Sequence, residues 1–295
     1  MKKSYLLLHL AVILAGFTGV FGKLITLNEG LLVWYRMLFA SVMLLAILRL
    51  RNNKINFSFR EKITIGKVGL LIMTHWVLFY ASIKYANVSI GVVCYCLTSF
   101  FTAIFEPLIN KRKLVPTELA LSALTLLGIS LIFHFDTSYQ LGIAIGTVSS
   151  AFAALYTIFN QRLVKQHDSK VINYYQMLSG TLVLGLLMPL YLYYFPTSNL
   201  FPSLSDLIYL LLLALFCTVF LYVLFAESLK HLSAFTVNLS FNLEPIYAII
   251  LAFWLFKEGK EVNTSFYIGC LFVMASVVLQ SVIARRRLKM AKIKS

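Results

Sequence analysis

Apolar runs of about twenty residues, each closed by a short polar break, recur along the whole chain. A helix of about that length crosses a hydrocarbon core of roughly 30 Å. The pattern therefore predicts membrane helices at 5–26, 31–50, 65–84, 88–110, 116–135, 139–161, 172–195, 205–229, 233–256 and 264–284. Ten crossings return the chain to the side on which it started. No break exceeds about 15 residues, which leaves no room for a soluble domain. The most polar break, 51–62, has space for a short interfacial piece at most. The first run has a basic start and an apolar body like a signal peptide, but it lacks a small-x-small cleavage site and reads as a retained helix.

One run stands apart. Between Ser233 and Phe256 the apolar pattern is interrupted near its middle by Asn238, Asn242, Glu244 and Pro245. A carboxylate at mid-bilayer depth costs at least about 3 kcal/mol and normally faces a polar interior. Proline removes a backbone hydrogen bond and bends the helix. A weaker twin lies at 87–110, shifted by about 146 residues, so that Ser82-Ile83-Lys84-Tyr85 falls on Ser228-Leu229-Lys230-His231 and Thr98-Ser99 on Glu244-Pro245. Farther upstream, Trp34 to Leu38 pairs with Tyr174 to Leu178 at an offset of 140. Residues 1–135 and 139–295 thus read as two copies of a five-helix unit, the second ending in a basic tail. Five is odd, so the copies insert with opposite orientation, the arrangement that permits alternating access around a midplane site.

Composition agrees with a bilayer rather than a nucleic acid as the chain's surroundings. The sequence is 60% hydrophobic and 13% charged, far from the balance of soluble domains. Its net charge of +15 sits mainly in short breaks, where Lys and Arg set topology. With the N-terminus inside, 21 Lys and Arg fall on the inner side and only Lys23, Lys84, Lys257 and Lys260 on the opposite side, where the break between Phe195 and Asp206 carries none. Both termini are expected in the cytoplasm. The four cysteines lie in apolar runs without metal-ligand spacing, and no nucleophile elbow, phosphate loop or haem motif occurs. The five histidines are scattered, which argues against an enzyme acting on lipid.

These features carry a resemblance. Pro245, Glu258 thirteen residues later and Gly269 eleven beyond that resemble the P…E…G signature of the EamA-type family in the drug/metabolite transporter superfamily; Arg36 followed by Ala40 resembles its Arg-x-x-x-Ala. The first half departs from the pattern, with Ser99 in place of the proline and Arg112 in place of the glutamate. The resemblance implies an all-α integral membrane fold of ten helices in two inverted repeats (5+5). It further implies export of amino acids or related metabolites across a bacterial inner membrane, with no cofactor and no catalytic site.

Glu244 is the first candidate, as a ligand for a cationic group or as a proton-coupling carboxyl. Asn238 and Asn242 share a face of its helix, and each lines the cavity or ties helices together; Phe241 beside them is placed to stack on a substrate. His75, Trp76 and Tyr80 in the third helix, Tyr95 and Thr98 in the fourth, and Tyr156 in the sixth complete the set expected to bind substrate. Asn160, Gln161, Tyr175 and Gln176 are polar enough to line a path. Arg36 is expected near the outer face, where snorkelling to the interface is the cheaper account. Glu106 and Glu227 are expected at the inner interface near Lys111 and Lys230. The expected partners are a small-molecule substrate and the lipid bilayer, in a monomer or homodimer; coupling to protons through Glu244 or His75 and facilitated diffusion without a coupling ion fit the residues equally well. The alternative is a membrane interaction protein or scramblase without a solute site, in which Glu244 faces lipid or is tightly packed.

Overall fold

The computed structural model describes residues 2–51, 57–86, 88–132, 139–247, 268–269, 271–280 and 282–283. Among them every regular element is helical: α1 (Lys2–Leu24), α2 (Glu29–Leu50), α3 (Phe59–Tyr85), α4 (Val88–Ile109), α5 (Pro116–Ile132), α6 (Gln140–Val164), α7 (Ser169–Tyr194), α8 (Leu204–Leu229), α9 (Ala234–Phe241) and α10 (Leu271–Gln280). Seven of them, α1 to α4 and α6 to α8, are long and apolar enough to cross a membrane. The end of the ninth predicted run, Glu258 and the basic tail from Arg285 lie outside the described residues.

Local chemistry sets where the helices begin. Asn28, Asp168 and Ser233 cap α2, α7 and α9, each side chain accepting from a backbone N–H of the first turn. Ser58 and Glu61 form a capping box, as do Ser203 and Asp206. The first of these starts α3 at Phe59 rather than at the predicted 65, because the cap satisfies the orphan donors before the apolar run begins.

Two helices depart from α geometry. In α8 the turn Leu215–Phe220 is a π-helix. In the ninth run the helix stops at Phe241, turns through Asn242 and Leu243 with tighter backbone bonds to Leu239 and Ser240, and resumes at Glu244. Pro245 has no N–H to continue the ladder but is tolerated in the first turn of the resumed helix. The carboxyl of Glu244 is thereby carried on a helix break.

Packing is organised around α3, which lies against α6 and α7, while α4 lies against α6, α2 against α7, and α1 against α8. Exchanging each helix of the first five with the one five places later maps these contacts onto one another: α3–α6 onto α8–α1, and α3–α7 onto α8–α2, with α2–α7 and α4–α9 self-paired. Small residues permit the close approaches, since association in lipid relies on van der Waals packing. Gly142, Gly146 and Ser150 form a stripe at four-residue spacing on α6; side chains on the two glycines would meet Ala86, Cys94 and the Ser82 hydroxyl.

Hydrogen bonds mark the two ends of the bundle. At the end holding the N-terminus, here the basic face, Ser228 donates to the Ser4 carbonyl, Gln161 to the Leu232 carbonyl and Arg162 to Asn110. At the opposite face Asp206 accepts from the Thr26 N–H and hydroxyl, both at 2.8 Å, and Glu29 accepts from the Tyr191 hydroxyl at 2.7 Å with Lys84 3.6 Å away.

Gly69 is where α3 and α7 touch most closely, because a Cβ there would lie 2.6 Å from the Gln176 carbonyl oxygen and 2.7 Å from its Cα. Backbone cannot yield as a side chain can, so Gly69→Ala is expected to cost about 1–3 kcal/mol. Gly30→Ala, which meets only the Tyr191 ring, should cost less. Thermal unfolding of the two variants in detergent checks the order; equal losses would contradict the packing argument.

Candidate functional site

The site is built where α2, α3, α8 and the resumed ninth helix converge with α1 and α4. Arg36 lies about 10 Å along α2 from its start. It is 1% exposed and points into the bundle. Its Nε donates to the Thr218 hydroxyl (2.8 Å), one terminal nitrogen to the Tyr80 hydroxyl (3.1 Å) and the other to the Cys217 carbonyl (2.8 Å). The guanidinium carbon sits 3.7 Å from the centre of the Trp76 ring. The snorkelling expected of Arg36 is thus overturned. The π-turn supplies both the hydroxyl and the carbonyl, and the aromatic face adds a cation–π contact, so the buried charge finds acceptors without reaching the interface.

Across from it is Glu244, 5% exposed. Arg36 and Glu244 line one cavity of about 30 Å³ together with His75, Trp76, Phe79, Tyr95, Tyr222, Phe241 and, from α1, Ala15 and Thr18. That volume holds about two water molecules. No hydrogen bond or ion pair reaches the Glu244 carboxyl among the described residues, and the ion pairs present there are Lys84–Glu29 and Lys230–Glu227. One buried cation and one buried carboxyl therefore share a cavity without touching.

The walls are held in place from behind. Trp76 donates from Nε1 to the Tyr222 hydroxyl at 3.0 Å, with the rings edge to face. Ser149 of α6 donates its hydroxyl proton to the His75 carbonyl at 2.8 Å. The His75 Nδ1 in turn lies 2.9 Å from that hydroxyl and 3.1 Å from the Ser149 carbonyl. The network assigns the proton to Nδ1 and leaves Nε2 to accept. A second, smaller cavity of about 10 Å³ adjoins the first, sharing His75, Tyr95, Tyr222 and Phe241 and adding Tyr156.

The EamA-like transporter family model matches the chain twice, over residues 2–134 and 140–282. The chain belongs to the EamA-like transporter family. Relatives of this EamA-like protein include uncharacterized transporters of Clostridium kluyveri (22% identical, covering 95% of this chain and 93% of that one) and Archaeoglobus fulgidus (24%, 94% and 97%). A third, from Haemophilus influenzae, is 24% identical over 87% of this chain and 86% of its own. One solved crystal structure shares the fold, with a TM-score of 0.78 at 15% identity over 97% of this chain and 99% of that one.

Of the residues expected to bind substrate in this EamA-like transporter, Glu244, Phe241, His75, Trp76 and Tyr95 line the main cavity, and Tyr156 the smaller one. Tyr80 stands behind the wall as a partner of Arg36, its ring filling the space left by Gly22. Thr98 is buried but lines neither cavity. Asn238 and Asn242 face α4 instead. Asn242 donates to the Ser99 hydroxyl (2.9 Å) and Asn238 to the Thr102 hydroxyl (2.7 Å), while Thr157 donates to Asn238 (3.0 Å). Glu106 accepts from the Phe235 N–H at 3.2 Å, making a third rung toward the basic face, whereas Glu227 pairs with Lys230 at 2.7 Å. Tyr175 packs beside Phe57 and Lys62 near the basic face. Among the residues the sequence reading left out, Tyr222 and Thr218 matter most. The repeat offset of about 146 carries Trp76 onto Tyr222, so the twin pattern held the signal for it.

The α4–α9 ladder should behave as ordinary membrane hydrogen bonding. A double-mutant cycle of Asn242→Ala with Ser99→Ala, read by thermal unfolding, is expected to return a coupling of about 0.6 kcal/mol and no more than about 1.7. A coupling near zero would mean that the two side chains do not meet.

Proposed function

We propose that this EamA-like protein is a secondary transporter that carries a small polar or amphipathic metabolite, an amino acid or a related compound, out of a bacterial cell. Transport proceeds by alternating access around the cavity between Arg36 and Glu244. The observation that carries this reading is that Glu244 faces a shared polar cavity and not lipid, which is what separates a solute site from a scramblase or interaction protein. A buried guanidinium suits a carboxylate or other anionic group, and a buried carboxyl suits an ammonium, while the aromatic walls suit an apolar side chain.

The ten-crossing, two-repeat architecture belongs to the same proposal. Its units are 1–135 and 139–295, and it is supported by the double family match and by contacts that exchange between helices five places apart. The basic face is assigned to the cytoplasm on the distribution of Lys and Arg, with both termini there and the bundle in the inner membrane. The cavity holds only about two waters, so a metabolite enters when the repeats rock apart. The α4–α9 ladder lies on the basic-face side of Glu244 and is the contact that must part for release in that direction.

Proteoliposomes loaded with a panel of radiolabelled amino acids and related metabolites test the reading. The native chain is expected to exchange at least one of them. Arg36→Gln and Glu244→Gln, shown to be monodisperse and folded, are each expected to lower the rate by about tenfold or more, the factor that 1.4 kcal/mol of lost interaction corresponds to. Full exchange by both variants would remove the cavity from the transport path.

A further inference from the structure

Seven buried side-chain atoms lack a hydrogen-bond partner among the described residues, and three of them lie together: the Ser169 hydroxyl and both amide atoms of Asn173. The two residues are four apart, one above the other on a single face of α7, and are 0% and 1% exposed. An amide buried without partners costs about 1–3 kcal/mol for each unsatisfied group, and polar atoms in that state are where internal water resides. One turn farther along the same face is Gln176, about 10 Å from Ser169. Gln176 donates to the Asn160 side-chain oxygen (2.9 Å), Asn160 donates to the Tyr156 hydroxyl (3.2 Å), and that hydroxyl donates to the Gln176 oxygen (3.3 Å). Tyr156 opens onto the smaller cavity, whose volume of about 10 Å³ takes one water, and Tyr222 and His75 pass from that cavity to the one containing Glu244.

We propose that these groups form a water-lined file from the basic face to Glu244. It runs by Ser169, Asn173, the Gln176–Asn160–Tyr156 triad and the smaller cavity, and it exchanges protons with Glu244 while α4 and α9 stay joined. A proton arriving on a water of the file passes to a Glu244 oxygen, one O–H bond breaking for each that forms along the file, and release reverses the order, so the waters are restored and the net change is one proton gained or lost by the carboxyl. The charged and titratable groups around Glu244 on the surrounding helices are Arg36 of α2, His75 and Tyr80 of α3, Tyr95 and Cys96 of α4, and Cys217 and Tyr222 of α8. The file is distinct from the route of the cargo. The rungs Ser99–Asn242, Thr102–Asn238 and Glu106–Phe235 close the bundle between α4 and α9, whereas the file follows α7 and α6. Its use in coupling rests on the transport reading above; its hydration does not.

The test uses single cysteines in the full chain, with Cys94, Cys96, Cys217 and Cys270 replaced, reconstituted in vesicles and exposed to silver ion, a probe narrow enough to follow water. Ser169→Cys and Asn173→Cys are expected to react within about tenfold of the exposed Gln166→Cys, whereas Ile172→Cys, fully buried among apolar groups, reacts only through local opening and about a hundredfold more slowly. Asn173→Cys as inert as Ile172→Cys would overturn the file. In a second arm, Gln176→Leu is expected to abolish proton flux driven by the amino acid panel while sparing amino-acid exchange at equal pH. Unchanged proton flux in Gln176→Leu, or exchange by the native chain without any proton flux, would overturn the relay and leave the transporter reading intact. An absence of exchange altogether would fell the transport reading, with the silver arm still deciding the hydration.

Discussion

The centre of this bundle depends on keeping one guanidinium inside an apolar fold. A buried charge is tolerated only when its donors are answered, and Arg36 is answered from three directions: a phenol, a hydroxyl and a backbone carbonyl, with an indole face beneath. Much else follows from that requirement. Gly22 is small because Tyr80 needs its ring space, Trp76 is held by Tyr222, and Tyr222 shapes both cavities. None of these acceptors is anionic, so the charge is solvated rather than neutralised. The carboxyl that could neutralise it stays across the cavity, which leaves both groups available to a third party.

The two halves answer corresponding positions differently. Gln176 occupies in α7 the place that Arg36 occupies in α2 at the 140-residue offset, and it is satisfied by a closed triad of neutral groups. Thr98 stands where Glu244 stands in the later copy. Each half thus brings one member of the charged pair, while the positions that correspond to the other member, Gln176 and Thr98, carry neutral side chains that line neither cavity. The two asparagines of α9 are spent on holding α4, a structural use that leaves the cavity walls to aromatic rings.

Much of this was legible in the residues. The apolar runs located the helices because length and hydrophobicity are read directly from composition, and the twin around Thr98 and Glu244 pointed at the centre. The Ser58–Glu61 box was also present in the sequence and extends α3 beyond its apolar run. Arg36 was misjudged because an arginine near a helix end has two inexpensive solutions, and choosing between them needs the partner turn in α8, which no periodicity reveals. A π-turn differs from an α-turn by one residue in the phase of a helix, and leucine-rich runs do not register such a shift. Asn238 and Asn242 were correctly placed on one face, but which neighbour that face meets is a property of packing.

The π-turn of α8 has a wider consequence. Inserting one residue into a helix advances everything beyond it by about 100°, so α8 is two helices in different phases welded end to end. Its first part lies mainly against α2 and also touches α1, while its second lies mainly against α1 and also meets α6 and α7. A straight helix of the same sequence could not present both parts to these neighbours in their present phase, and removing a residue between Leu215 and Phe220 would turn Asp206 away from Thr26, in the connection between α1 and α2, by more than a quarter of a circle. The same single-residue dislocation that feeds the arginine therefore also decides which neighbours each end of the helix can have.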